Sequence, residues 1–500
     1  MATGARGRAG RREPDPGVMR GPVAVLWSAG EAAAAGAFSL TSAFIVARIV
    51  GPAELGIGAA AVSLHILFWV GVNAFFADAM VQRTVLEEDA AASAFWASAS
   101  VGLLAGIVQA GLGFVLAPAM GDPRLLPMAL LLGAALPLVG AAGAVQGRLT
   151  RERRYRLLAC RTLVGQGAGT ITGISCALIG AGAWAVVAQQ AVTSLLGAVV
   201  LLISAGWRPP LVWRKRAVMD LIAIGGPLTA STLVLHGRYR VFAVLIGSTA
   251  GAAALGEVHL AFRLVDTVRE LASTALWRLM LPAMSERQTD RLSLLACTER
   301  WLAASGMILF PLCAAMVVSV GPMTQLLLGP AWSGVSAAAI PLVILAAWSF
   351  LAFPAGVTLV AVGTPGVALR ANIASSVLLL AGTLVFHPTS AQQAVWLWLA
   401  SQSVIGPYTL PKSAAALKTS VWKILRAGIP ILGISIIAAT AAVLVPSMFD
   451  QAAGPTMLLV HRLSVLGLFS TMIWLPVFRP VGIFGSRFLG QRTWMKRAGG

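Results

Sequence analysis

Apolar stretches long enough to cross a bilayer follow one another along nearly the whole of this 500-residue chain. A membrane helix needs about 20 mainly apolar residues, because each advances ~1.5 Å through a hydrocarbon core ~30 Å thick. Such stretches fall at 23–48, 55–80, 92–117, 125–147, 157–180, 183–205, 220–247, 253–281, 297–320, 335–362, 367–386, 394–411, 425–446 and 456–478. Only 11% of the residues are charged, less than half of the roughly 25% usual in soluble domains. No segment of ordinary globular composition is long enough to fold as a soluble domain. The fold class is therefore all-α and polytopic, with about fourteen transmembrane helices.

The formal charge of +19 does not indicate nucleic acid in a chain of mean hydropathy +0.84. In a membrane protein, basic residues collect on cytoplasmic loops, facing anionic lipid. If the N-terminus is inside, 27 of the 37 Lys and Arg lie in cytoplasmic segments, whereas the opposite loops hold Arg124 alone. Both termini are thus expected in the cytoplasm. The strong preference for Arg over Lys, with abundant Ala and Gly, reads as a bacterial plasma-membrane protein. Residues 1–22 form a basic, Pro/Gly-rich tail expected to be disordered, and 479–500 form a second basic cytoplasmic tail. The first apolar run is too long for a signal peptide and contains Glu31, so it reads as a retained span. Cys160, Cys176, Cys297 and Cys313 all lie in apolar stretches without a close pair. That spacing argues against a metal site or a disulfide and for packing residues.

An internal repeat is visible. Gly51, Ala53, Leu55, Gly56, Ala61 and Leu64 recur as Gly251, Ala253, Leu255, Gly256, Ala261 and Leu264, an offset of 200. Trp184, Ala188, Gln190 and Val192 recur as Trp396, Ala400, Gln402 and Val404, an offset of 212. Six spans separate the copies, so both halves have the same orientation. Parallel repeats of this kind build transporters whose site lies between the halves. The expected layout is a six-helix lobe at 23–205, a basic linker at 206–219, a second six-helix lobe at 220–411 and two additional helices at 412–478.

The segments RIVGPAELGIGAAAVSL, RERRYRLLACRTLVGQGAGTITGI, GAWAVVAQQAV and AALGEVHLAFRLVDTV resemble the polysaccharide (Wzx-type) lipid flippases of the multidrug/oligosaccharidyl-lipid/polysaccharide (MOP) exporter superfamily. The resemblance covers roughly residues 20–420. It implies a two-lobed bundle that works by alternating access and moves polyprenyl-pyrophosphate-linked oligosaccharide from the inner to the outer leaflet, for surface polysaccharide synthesis. The partners it implies are that lipid-linked substrate, the surrounding lipids, and a polysaccharide polymerase with chain-length machinery.

Ionisable groups at mid-bilayer cost about 2.5–3.5 kcal/mol on insertion scales, so each is a candidate functional group. At about 100° per residue, His259, Arg263, Asp266 and Glu270 share one face of the eighth span. That stripe must meet a cavity or another helix. Arg263 is a candidate phosphate or sugar contact, because guanidinium pairs bidentately with phosphate oxygens; the alternative is an internal Arg263–Asp266 pair. The seventh span adds His236, Arg238 and Arg240. Counting ~1.5 Å per residue from the outer end places His236 and Arg263 at ~15–16 Å depth and Arg240 at ~10 Å. Arg238 points nearly opposite Arg240, and Arg240 is preferred for the cavity.

Glu31, with Asp266 and Glu270, is a candidate for coupling to H⁺ or Na⁺ or for a gate; satisfaction by Ser28 or by neighbouring backbone is the alternative for Glu31. Gly225, Gly226 and Pro227 form the candidate hinge. No cofactor is indicated, and H⁺, Na⁺ and membrane potential all stand as possible driving forces. Short, nearly uncharged outer loops argue against an enzyme such as a glycosyltransferase or polymerase. A cation-coupled drug antiporter of the same superfamily, and a non-transporting scaffold, are the other readings. The arginines of the seventh and eighth spans favour an anionic substrate over a cationic drug.

Overall fold

The computed structural model describes residues 22–83, 86–449 and 454–471. The expectations for the two terminal tails lie outside them. Among the described residues the chain is helical, with no strand. The first helix, α1 (Pro22–Ala74), has 53 residues, about 80 Å of length, more than twice the hydrocarbon core. It turns a corner at Gly51, which has φ 79° and ψ 171°, so the two apolar stretches read from the sequence are two helices in succession. Glycine takes this backbone conformation without steric penalty. Pro52 then begins the second helix, where its missing N–H leaves no hydrogen bond unmade.

After the short α2 (Ala77–Gln82) come α3 (Glu88–Met120), α4 (Leu125–Arg151), α5 (Tyr155–Leu178) and α6 (Trp184–Ser204). Next come α7 (Lys215–Thr249), α8 (Gly251–Ser285), α9 (Arg291–Leu328), α10 (Ser333–Ala361) and α11 (Gly366–Phe386). It continues with α12 (Ala391–Ser403), α13 (Ile405–Ala416), α14 (Val421–Leu425), α15 (Ile429–Phe449) and α16 (Pro455–Thr471). Side-chain caps start three of these helices. Asp290 accepts from Leu292 N at 3.1 Å and Ser293 N at 3.3 Å, and Ser390 and Ser420 cap α12 and α14.

Among the described residues, seven helical stretches are apolar and long enough to cross a membrane by length and composition alone. One of them, Ala34–Gln82, includes the corner at Gly51. Helices α5 and α8 fall short of that standard, and they carry arginines: Arg156 and Arg161, and Arg263 and Arg269.

The chain forms two compact units. The first comprises residues 1–42, 64–118 and 123–237. Its core packs Phe76, Met80 and Ala144 with Val218 and Leu221 of α7, and, separately, Val145 and Leu149 with Leu201. Where α5 meets α6, Gly165, Gly169 and Gly173 lie one turn apart. A Cβ at Gly165 would sit 2.9 Å from the Thr193 carbonyl, and one at Gly173 would sit 2.6 Å from the Gln189 side chain. Small residues spaced four apart let membrane helices approach closely enough for dispersion to hold them.

One end of this unit is tied by ion pairs. Arg83 meets Asp220 at 3.0 Å, and Arg148 meets Glu88 at 3.0 Å and Glu152 at 2.9 Å. Arg214 meets Glu87 at 3.1 Å and also pairs with Asp89. The Arg148 guanidinium also lies 4.6 Å over the Trp207 ring. The connections around Arg83, Arg148 and Arg214 therefore gather on the same end of the unit.

The second unit comprises residues 43–63, 119–122 and 238–500. Met280 and Met284 of α8 pack with Leu294 and Ile424 in one cluster. In another, Ala438 and Ala442 of α15 and Leu466 of α16 close on Val318 of α9. The first repeat pair also meets inside this unit. A Cβ at Gly56 would run into the Ala252 carbonyl, and a Cβ at Gly256 into the Pro52 carbonyl. Position 52 with 256 and position 56 with 252 are the same contact made twice, as around a two-fold axis. Gly51 and Gly251, which open the two copies, share a positive φ of 79° and 86°.

Candidate functional site

Helix α7 runs unbroken through the Gly225–Pro227 segment. Gly225 is buried against the Phe75 carbonyl, leaving no room for a Cβ. The side chains of Glu31, His236 and Pro227 lie outside the described residues. The remaining charged candidates gather on α7 and α8 within the second unit, in two groups set by the helical twist.

The first group contains Tyr239, Arg240, His259 and Arg263. The Tyr239 hydroxyl and His259 Nδ1 share a hydrogen bond of 3.3 Å. The Arg240 guanidinium lies 5.2 Å over the Tyr239 ring, within cation–π range. Arg240 and Arg263 both act electrostatically on His259. Among the described residues neither arginine has a carboxylate within 4 Å. The internal Arg263–Asp266 pair considered from sequence does not form. Asp266 instead accepts from Arg269 Nε at 2.8 Å, three residues further on. Glu270 is exposed.

The second group lies on the other side of α7. Arg238 lines a cavity of about 320 Å³ with Asp266, Arg269 and residues of α10, α11, α12 and α13. Its guanidinium sits 5.3 Å over Trp398. Trp398 is 7% exposed and is ringed by Tyr239, Phe242 and Phe262 at centroid distances of 6.1, 5.1 and 5.0 Å. An aromatic wall thus stands between the two groups, with Tyr239 touching both. Arg240 and Arg238 do point apart, as the 200° between alternate helical residues requires. Arg238 lines this cavity, and Arg240 stands with the first group.

Sequence reasoning missed Arg269, Trp398 and the buried centre of the first unit. There His65 is fully buried, with Nε2 3.4 Å from Ser194 Oγ. Gln190 Nε2 donates to the same hydroxyl at 3.0 Å, and Ser42 Oγ donates to Gln189 Oε1 at 2.7 Å. One usable signal was present, since Gln190 and Gln402 are the repeat-related glutamines. Among the described residues no three His, Cys, Asp or Glu side chains could hold a metal ion, and the four cysteines are free.

Kinked apolar helices, repeat-related corners at Gly51 and Gly251, and a cationic interior on α7 and α8 define a multi-pass helical membrane protein with the fold of the MOP superfamily. The inward-closed lipid II flippase MurJ matches with a TM-score of 0.71 at 12% identity, over 92% of this chain and 100% of that one. An inward-facing multidrug resistance MATE family transporter of the MOP superfamily matches with a TM-score of 0.55 at 14% identity, over 81% of this chain and 94% of that one. The sequence is narrower in its affinities. Residues 45–337 match the family described as polysaccharide biosynthesis protein, and the chain belongs to that family. The succinoglycan biosynthesis transport protein ExoT of Rhizobium meliloti (strain 1021) is 22% identical over 291 residues. That match covers 58% of this chain and 58% of the relative's length.

Proposed function

We propose that this protein flips a polyprenyl-pyrophosphate-linked oligosaccharide from the inner to the outer leaflet of a bacterial plasma membrane, by alternating access, for surface polysaccharide synthesis. One observation carries the reading: Arg240 and Arg263, on adjacent helices beside His259, lack a carboxylate partner among the described residues. Uncompensated guanidinium groups inside a membrane protein are costly. A diphosphate is the ligand that would offset that cost with charge-assisted, bidentate hydrogen bonds. The family membership and the transport role in the ExoT name support the same reading.

In this reading about fourteen spans cross the membrane, both termini are cytoplasmic, and lobes at 23–205 and 220–411 alternate about the substrate, with 412–478 appended. The headgroup crosses among polar side chains while its prenyl chain stays in lipid. An inside-negative potential assists expulsion of an anion by ~2.3 kcal/mol per charge per 100 mV. Asp266, Glu270 and Glu31 are the groups through which H⁺ or Na⁺ would add to that force. Gly225, Gly226 and Pro227 are the hinge, and a polymerase would receive the cargo.

Depleting the protein and extracting lipids for mass spectrometry tests the reading. A completed polyprenyl-pyrophosphate repeat unit should accumulate while surface polysaccharide is lost; an unchanged lipid pool would overturn it. Arg263→Ala should reduce export about 10–100-fold, the equivalent of one charged hydrogen-bonding contact of ~1.5–3 kcal/mol, with insertion and expression preserved. Normal export by that variant removes Arg263 from the site.

A further inference from the structure

The cavity of about 320 Å³ inside the second unit carries an imbalance of hydrogen-bonding groups. Three buried N–H donors on its wall have no partner among the described residues: Arg238 Nε, Trp348 Nε1 and Gln402 Nε2. Gln402 is only 6% exposed. A buried donor left unmade costs about 1–3 kcal/mol, so three around one space call for an occupant rich in acceptors.

The repeat shows that the two copies differ at this glutamine. Gln190, the counterpart of Gln402, gives its side-chain N–H to Ser194 four residues on, at 3.0 Å. The residue four beyond Gln402 is Gly406, which has no hydroxyl to accept it. The Trp348 indole occupies the space there instead, 2.6 Å from where a Gly406 Cβ would stand. The first copy satisfies its glutamine internally. The second leaves its glutamine N–H without a partner among the described residues, on the wall of the cavity.

The rest of the wall narrows the occupant. Trp348 and Trp398 line it, and Arg238, Arg269 and Asp266 leave one positive charge in excess. Aromatic side chains beside N–H donors suit a sugar ring, and the excess charge suits a carboxylate on it. The volume lies at the lower end of the roughly 300–1,000 Å³ typical of small-molecule sites. The geometry points to a glycan subsite within this unit that takes one acidic sugar residue, separate from the Arg240–Arg263 contacts to the diphosphate. This inference rests on the flippase reading for the source of the sugar, but its test does not.

The test is calorimetric titration of the purified full chain with sodium glucuronate, glucose and sodium acetate. Saturable glucuronate binding is expected, at least 10-fold tighter than either glucose or acetate. Trp348→Phe and Gln402→Leu each remove one donor and keep apolar bulk; each should weaken glucuronate at least 5-fold, with thermal unfolding confirming that the variants are folded. Arg263→Ala should leave this binding intact, so lost export with retained binding separates the two sites. Glucose binding as tightly as glucuronate overturns the acidic assignment, and equal acetate binding overturns the sugar. Absence of saturable glucuronate binding up to its solubility limit, or binding unmoved in both donor variants, overturns the subsite. If glucuronate binds while depletion leaves the lipid pool unchanged, the subsite stands and the flippase reading falls.

Discussion

Tyr239 makes two kinds of contact, and they differ in worth. Its ring packs on Phe262 at 4.6 Å and on Trp398 at 6.1 Å, while among the described residues its hydroxyl meets only His259. Tyr239→Phe should therefore cost no more than about 0.5–1.5 kcal/mol, the net value of one hydrogen bond. Trp398→Ala empties the centre of the aromatic wall and should cost about 3–5 kcal/mol. Thermal unfolding in detergent checks the order, and comparable losses would show that the wall is not the main support. The polar stripe on α8 was legible because periodicity alone decides which residues share a face. Its partners were not, because Trp398 stands 132 residues beyond Asp266. A period of 3.6 says nothing about which helix meets that face. For the same reason the sequence favoured Arg240 over Arg238 without revealing that each arginine faces a different environment.

Among the elements, α5 depends on what it lacks. Gly165, Gly169 and Gly173 bring its backbone against α6, and Gly169 already lies 2.8 Å, at the Cβ position, from the Gln189 carbonyl. Gly169→Leu should push the helices apart at a cost of at least 1–3 kcal/mol, as overpacking does. A matched substitution at exposed Ile171, Ile171→Leu, should be near neutral; equal unfolding temperatures for the two variants would contradict the close approach. The three glycines stood in the sequence all along, but a hydropathy scan weighs glycine as nearly neutral and so passes over the contact. The corner at Gly51 was easier to find, because a glycine followed by proline between two apolar runs marks a break by its chemistry. Hydropathy also discounts helices that carry charge. Helix α8 fell short of the apolar standard because its charged residues are spread along it, and only its place in a succession of spans identified it.

At the scale of the whole molecule, the chain is continuous where its packing is not. Helix α7 follows the non-helical stretch at 206–214, and its Val218 and Leu221 are buried with Phe76 and Met80 of the first unit. Arg83 and Asp220 add an ion pair to the same join. A chain cut within residues 206–214, which are free of helix, would therefore leave two fragments with complementary surfaces. Co-expressed fragments should copurify and unfold at the temperature of the intact chain, while either alone should not fold. Fragments that fail to associate would mean that covalent continuity, rather than the buried join, holds the molecule together. The reciprocal contact of Gly56 with Ala252 and Gly256 with Pro52 carries this further. Before the two copies diverged, each would have presented the same patch to an identical neighbour. A half-length ancestor would then have worked as a homodimer, and fusion of its gene would have freed the two copies to differ, as they now do at Ser194 and Gly406.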